Sequence, residues 1–394
     1  MKNRKKLNIL FVLQTPWGTN LGMSKVHHDL KVEFENIGHH VDFLDSTQLY
    51  AGKERAFSHL FGKSTQNRIL DFLKLNAHKY DVIDANQRCV PYPKDSFDFK
   101  GVLLYRSHGF QPLYRIAEQS PFYTKMNLLS EKRENKSFKS YLGNIKRYIM
   151  REEGEWALWD SIYNADIVHV LNSAEYDYLK DYGVPEDKLI LIPNGIEESF
   201  LEIGQFDLNK NSIRSEITFL GSWTIRKGIL HLPEIALDLK SYYSQLNLLG
   251  TGNYEEVIKS AFSNEIYNML NIRTHFFSTE LPDLLTKTKV GISPSYIEGF
   301  GLSIVEFLSL GIPVVAFDIP GPADILKSID DTLVIKLGDI ESFKNKIKEI
   351  LSMPNEQYIK LRQHCFKRAQ EFSYSNIATQ FLDVYYRSLE DLGL

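Results

Sequence analysis

Glu298 and Glu306 close the two ends of the stretch EGFGLSIVE, inside the longer run ISPSYIEGFGLSIVEFLSLGIPVVAFD. That run reads as strand, glycine loop, helix, glycine stop and strand. Glu298 then falls in the loop at the carboxyl end of a strand, where open α/β sheets place their ligands. Glu306 falls on a short apolar helix beside Ile304, Val305, Phe307 and Leu308, where burying an unpaired carboxylate costs several kcal/mol. Between them the backbone N–H groups of Gly299, Phe300, Gly301 and Leu302, with the positive end of the helix, suit a phosphate. Two hydroxyl-binding acids flanking an anion site describe a sugar–diphosphate–ribose ligand. Two plainer readings stand beside this one. Ser303-Ile-Val-Glu306 also fits a helix capping box, in which the glutamate bonds only the cap residue's N–H. Glu298 alone reads equally as a solvated loop acid.

Three further places carry side chains or turns of chemical interest. In FLGSWTIRKG, Arg226 and Lys227 follow a strand and open the next helix, where the helix dipole disfavours cations and an anionic ligand would offset the mismatch. An exposed basic pair is the alternative. His108 in LLYRSHGF stands just past a buried strand; a lone histidine there is either a structural hydrogen-bonder or a ligand contact. Gly22 ends the loop GTNLG after the first strand, and a tight turn with no ligand explains it as well. Gly250 and Gly252 lack the third glycine and the ribose-binding acid of a dinucleotide fingerprint, so a nicotinamide site is not expected.

Together these stretches resemble family 4 glycosyltransferases, retaining enzymes of the two-domain GT-B fold, whose E-x7-E signature matches Ser293 to Asp318. Further matches run through Phe219–Gly228, Leu246–Gly252 and the C-terminal helix, and looser ones through Asn8–Val41, Leu103–Gly109 and Ala165–Ile196. The resemblance implies that Arg226 and Lys227 hold the donor's diphosphate, that His108 hydrogen-bonds the transferring sugar, and that Gly22 approaches the donor phosphate. Glu298 would hold the sugar hydroxyls and Glu306 the ribose diol. Catalytic duty would fall on His108, Glu298, Arg226 and Lys227. No cofactor is expected beyond the nucleotide-sugar substrate, and without an Asp-x-Asp motif at the site no metal either. The partners implied are a nucleotide-diphosphate sugar and a hydroxyl acceptor, glycan, lipid-linked or protein-linked, in cell-surface polysaccharide or glycoconjugate synthesis. A sugar-nucleotide epimerase of the same fold and a non-catalytic partner subunit are the competing readings.

Composition narrows the classes. A net charge of −4 over 394 residues gives no basic field for nucleic acid. Cys89 and Cys365 are the only cysteines and form no C-x-x-C pattern, so neither a disulfide framework nor a zinc site is implied and a reducing, cytoplasmic setting is expected. The apolar run Leu7–Leu13 is too short for a signal peptide and reads as the first strand. Residues 125–151 concentrate Lys125, Lys132, Arg133, Lys136, Lys139, Lys146, Arg147 and Arg151 among aromatic residues. A solvated helical face explains them, and a peripheral patch on anionic lipid at the inner membrane face is the functional alternative.

Positioning these residues requires alternating strands and helices along the whole chain. Strands are expected at Asn8–Leu13, Val41–Leu44, Asp81–Asp84, Val102–Tyr105, Ile167–Leu171 and Leu189–Ile192. After the turn at Pro193–Gly195 they resume at Ile217–Leu220, Leu246–Leu249, His275–Phe276, Val290–Ser293, Val314–Phe317 and Leu333–Ile335. Such alternation means parallel sheets covered by helices. The expected architecture is α/β with two Rossmann-like domains facing each other across a deep cleft. Residues 1–195 would bind acceptor, residues 196–374 would bind the nucleotide sugar, and the helix within 375–394 would return to the first domain.

Overall fold

The structure, a computed structural model, describes residues 4–18, 22–50, 65–131, 155–208 and 213–394. It contains two six-stranded, all-parallel sheets. The first is built from β1 (Asn8–Val12), β2 (His40–Leu44), β3 (Val82–Asn86), β4 (Val102–Arg106), β5 (Ile167–Val170) and β6 (Leu189–Leu191), in the order 2-1-3-4-5-6. The second is built from β7 (Glu216–Leu220), β8 (Leu246–Leu249), β9 (Leu270–Arg273), β10 (Thr288–Ser293), β11 (Val314–Phe317) and β12 (Val334–Ile335), in the order 12-11-10-7-8-9. Read from the other edge, that second order reproduces the doubly wound arrangement, with its switch point between β7 and β10. The central strands are Val, Ile and Leu-rich and buried at every position of β3, β4, β7 and β8, as a sheet covered on both faces requires.

One expected strand is displaced. His275 and Phe276 lie past the strand, which runs instead through Leu270–Arg273 and pairs with β8 at the sheet edge. Leu270, Asn271 and Ile272 are half-buried and Arg273 is exposed, so it lacks the apolar run that marks the buried strands.

The chain divides into two compact units. Among the described residues, unit 1 takes those up to Phe110, those from 155 to Pro193 and those from Tyr374 onward, and unit 2 takes 111–131 and those from Asn194 to Ser373. The described residues 111–131, placed by sequence in the first domain, therefore group with the second. Phe122 and Tyr123 of the helix Pro121–Glu131 meet Tyr296 edge-on, at 5.1 and 6.2 Å between ring centroids. Of the basic stretch, Lys125 lies on that helix, while residues 132–151 fall outside the described residues.

The helix Tyr374–Asp391 belongs to unit 1, and a buried long-range network joins it to the sheet. Arg106 Nε donates to Asp84 Oδ1 at 2.8 Å, and the Tyr385 hydroxyl donates to Asp84 Oδ2 at 2.6 Å. Arg106 also stacks over the Phe381 ring, 4.0 Å from its centroid. The three polar groups are all fully buried, so each supplies the partner the others need.

Candidate functional site

In unit 2 the switch point is where Glu298 and the two predicted cations meet. The loop after β7 turns at Gly221 and forms a single 3-10 turn, Ile225–Lys227, closed by Gly228. The two cations were expected to open a helix; they precede it, because Gly228 takes a left-handed φ of 71° and ends their turn. A Cβ on Gly228 would lie 1.7 Å from the Pro294 carbonyl oxygen, so only glycine lets this loop touch the one after β10. The loops are also joined by Tyr296 N–H donating to Arg226 O at 2.8 Å.

That contact brings three charges together. Lys227 Nζ donates to Glu298 Oε1 at 2.5 Å, and Arg226 Nη1 reaches Glu298 Oε2 at 3.4 Å and the Ile297 carbonyl at 3.1 Å. Ser295 Oγ donates to Glu298 Oε1 at 2.8 Å. Burial pushes the Glu298 carboxyl up, but Lys227 and Arg226 together outweigh it and hold it below its ordinary value. The carboxylate is 8 % exposed, Lys227 15 % and Arg226 33 %, so the cations keep a solvent-facing side that the acid lacks. The anion that the sequence required for Arg226 and Lys227 is thus supplied internally by Glu298, which is neither a solvated acid nor remote from the cations.

Past Glu298 the chain runs through Gly299 and the buried Phe300 to Gly301, the N-cap, with φ 105°. The helix itself is Leu302–Ser309, with Ser303 inside its first turn and no side-chain cap. The capping-box reading of Ser303 and Glu306 is therefore not realised. Glu306 sits at a partly exposed position of the helix, between buried Val305 and Phe307. At the far end Gly311 N–H donates to Leu308 O and Ile312 N–H to Phe307 O, the paired bonds of a Schellman stop. Arg362, almost fully buried, adds donors to the carbonyls of Leu310 and Gly311, both at 3.2 Å. The helix bearing Glu306 is thereby pinned at its carboxyl end.

Unit 1 holds the other two predicted residues. Gly22 is the first residue of the helix Gly22–Asn36; residues 19–21 of its loop lie outside the described residues. His108 follows β4, and its Nε2 meets Asn86 Oδ1 at 2.8 Å. With the amide oxygen as acceptor, Nε2 carries the proton and Nδ1 keeps its lone pair. His27 lies 5.0 Å away, centroid to centroid, with His169 also in the cluster. Burial first, then the neighbouring imidazoles and Arg106, hold His108 well below its usual range; burial and Arg106 push His27 down to about 4 and His169 to about 3. All three rings are neutral at physiological pH.

Sequence reasoning missed the groups that fix these side chains. Ser295 and Asn86 are short polar residues without a distinguishing spacing. Glu175 is 1 % exposed and accepts the N–H of Phe110 at 2.9 Å and of Leu171 at 3.0 Å, closing the loop that carries His108. Burial raises its carboxyl despite these bonds. Glu175→Ala strands both N–H groups and is expected to cost about 2–4 kcal/mol in a urea unfolding measurement. A change under about 0.5 kcal/mol would mean the loop does not depend on it. A usable signal did exist for Asp84 and Arg106: opposite charges inside two apolar strands are expected to pair.

Residues 202–372 match the family described as Glycosyl transferases group 1, so unit 2 carries a glycosyltransferase group 1 domain. Sucrose-phosphate synthase of Spinacia oleracea is 21% identical over 362 residues, covering 88% of this chain and 33% of the relative. The UDP-Gal:alpha-D-GlcNAc-diphosphoundecaprenol alpha-1,3-galactosyltransferase of Escherichia coli is 26% identical over 190 residues, covering 44% of this chain and 47% of that one. The chain spans a third or less of the length of the first plant sucrose-phosphate synthases it matches. Among solved structures, the sucrose-phosphate synthase of Thermosynechococcus elongatus superposes with a TM-score of 0.67 at 18% identity, covering 96% of this chain and 98% of that one. With two parallel sheets of this order, the fold is that of the GT-B glycosyltransferases.

Proposed function

We propose that the chain is a retaining glycosyltransferase of the family 4 type, moving a sugar from a nucleotide-diphosphate donor to an acceptor hydroxyl. The acceptor class is a glycan or a lipid- or protein-linked glycan, in cell-surface polysaccharide or glycoconjugate synthesis. The observation that carries the reading is the assembly of Arg226, Lys227 and Glu298 at the switch point of the second sheet, at the loop that leads into the helix bearing Glu306. In this reading the cations and the N–H groups at Phe300–Leu302 face the diphosphate, and Glu306 accepts from the ribose diol. Glu298 meets the sugar hydroxyls through Oε2, whose contact with Arg226 is the longer one at 3.4 Å.

In the transfer step the bond between the sugar's anomeric carbon and the phosphate oxygen breaks. The acceptor oxygen bonds that carbon on the same face, and its proton passes to the departing phosphate. No side-chain base is needed, and charge building on the leaving diphosphate is what the site must stabilise. The two cations serve that purpose, so the proposed chemistry is independent of metal. His108, neutral and with its Nδ1 lone pair available, accepts from a hydroxyl of the transferring sugar. Among the described residues no helix is long and apolar enough to cross a membrane; the proposed setting is cytoplasmic.

A thermal-shift panel of UDP-, GDP- and ADP-sugars on wild type and Glu306→Ala tests the reading. One donor is expected to raise the wild-type midpoint and to bind the variant about tenfold to hundredfold more weakly, the loss of about 1.5–3 kcal/mol per charged hydrogen bond. Equal shifts in both proteins would remove Glu306 from the ribose site. Release of nucleotide only when acceptor is added separates a transferase from an epimerase.

A further inference from the structure

Glu298 spends both carboxylate oxygens on groups of the protein, and two of those groups are the very cations that face the proposed diphosphate. A residue that only held sugar hydroxyls would not need to sit between Lys227 and Arg226. Counting formal charges, the cluster of Arg226, Lys227 and Glu298 is a +1 site where the two cations alone would make it +2. The difference matters because the two ligands of such a site differ in charge. A nucleotide sugar carries about two negative charges on its diphosphate; once the sugar has left, the terminal phosphate ionises further and the diphosphate carries about three near neutral pH. Bare cations would favour the product over the donor and would be slow to release it.

We propose that Glu298 is a built-in counter-anion that sets the preference of the Arg226–Lys227 pair between the donor and the more highly charged diphosphate that leaves. The inference rests on the reading of this site as a diphosphate site and adds a role the hydroxyl contact does not supply. Three features of the geometry support it. Ser295, 1 % exposed, fixes Oε1 from the protein side, so the carboxylate cannot swing away when an anion arrives. Gly228 and Tyr296 lock the two loops together, which keeps the charges at fixed separations. Lys227 and Arg226 remain more exposed than the acid, so a ligand meets the cations with Glu298 behind them, repelling each phosphate charge through a short, partly desolvated distance. At about 5 Å and an effective dielectric of about 20–40, one such carboxylate weakens binding by about tenfold or more per ligand charge.

Inorganic pyrophosphate, which has the charge of the leaving group and no sugar or base, is the discriminating probe. Its affinity is to be measured by titration calorimetry on wild type, Glu298→Gln, Lys227→Met and the double variant Lys227→Met/Glu298→Gln. The expected result is a gain of about tenfold or more for Glu298→Gln and a loss for Lys227→Met. Wild type and Glu298→Gln binding pyrophosphate equally, or the variant binding it more weakly, overturns the counter-anion role while leaving the diphosphate site standing. Failure of pyrophosphate to bind wild type and Glu298→Gln alike removes the diphosphate reading itself, and the inference with it. Should Glu298→Gln prove unfolded by circular dichroism, the comparison passes to the double variant, where both members of the buried pair are gone. Recovery of about tenfold in affinity relative to Lys227→Met alone supports the proposal, through the remaining Arg226, and no recovery overturns it.

Discussion

Arg106→Met is expected to destabilise unit 1 by about 3–5 kcal/mol, the cost of leaving a buried carboxylate without its cation. Asp84 would keep the Tyr385 hydroxyl as a donor but lose the guanidinium, which neutralises it in the intact protein. The pH dependence of this loss is specific. In wild type, burial raises the Asp84 carboxyl, but Arg106 outweighs it and leaves it lowered. A depressed carboxylate contributes stability above its unfolded value near 3.9, and that contribution is lost as the pH falls through the folded value. In the variant burial, the largest influence, is opposed only by the Tyr385 hydroxyl and the neighbouring His27, so the folded pKa is expected above the unfolded one and stability is lost as pH rises from about 4. The difference between variant and wild type in urea midpoint should therefore shrink on acidification from pH 7 toward pH 4. A gap that stays constant over that range would show that Asp84 is not held charged by Arg106.

Lys227→Met should produce the largest functional effect, lowering the turnover of the proposed transfer by about 10^2–10^3-fold, the usual cost of removing one preorganised group from developing negative charge. Arg226→Met is expected to follow with a smaller loss, since its guanidinium is more exposed and lies farther from Glu298. The check is kcat and KM measured separately on the donor that the thermal panel identifies. A change confined to KM would assign Lys227 to ground-state binding alone. Because Lys227 also neutralises a buried acid, the thermal midpoint of the variant must be followed alongside; a loss of activity with an unchanged midpoint isolates the catalytic contribution.

The parts of this molecule that could be read in advance are those set by local burial. A strand such as Val314–Phe317 announces itself because both faces are covered and every residue is apolar. The stop at Gly311 was legible for a similar reason: a glycine after an apolar helix and before Pro313 has one common geometry. What escaped was set by distant partners. β9 is an edge strand in which Asn271 and Arg273 interrupt the apolar residues, so its pattern is that of a loop. The helices within 111–131 are amphipathic, but nothing in them names the unit whose surface receives their apolar side; Tyr296 does that from far along the chain. The grip of Lys227 on Glu298 depends on β7 and β10 being neighbours, a fact of strand order that residue types cannot convey. Residue chemistry singled out Glu298, Arg226 and Lys227 separately and left out that the acid pairs with both cations.

Asp84 and Tyr385 are 301 positions apart, and everything in unit 2 is translated between Asp84 and its partner. A ribosome adding about 5–20 residues per second needs roughly 15–60 s to deliver that hydroxyl. During the interval the amino-terminal sheet has its strands but not the helix Tyr374–Asp391, and Arg106 and Asp84 face solvent or a chaperone where Phe381 and Tyr385 later lie. Nascent chains halted before residue 374 should thus expose an unfinished, protease-sensitive amino-terminal half beside a unit 2 whose own segments have already emerged.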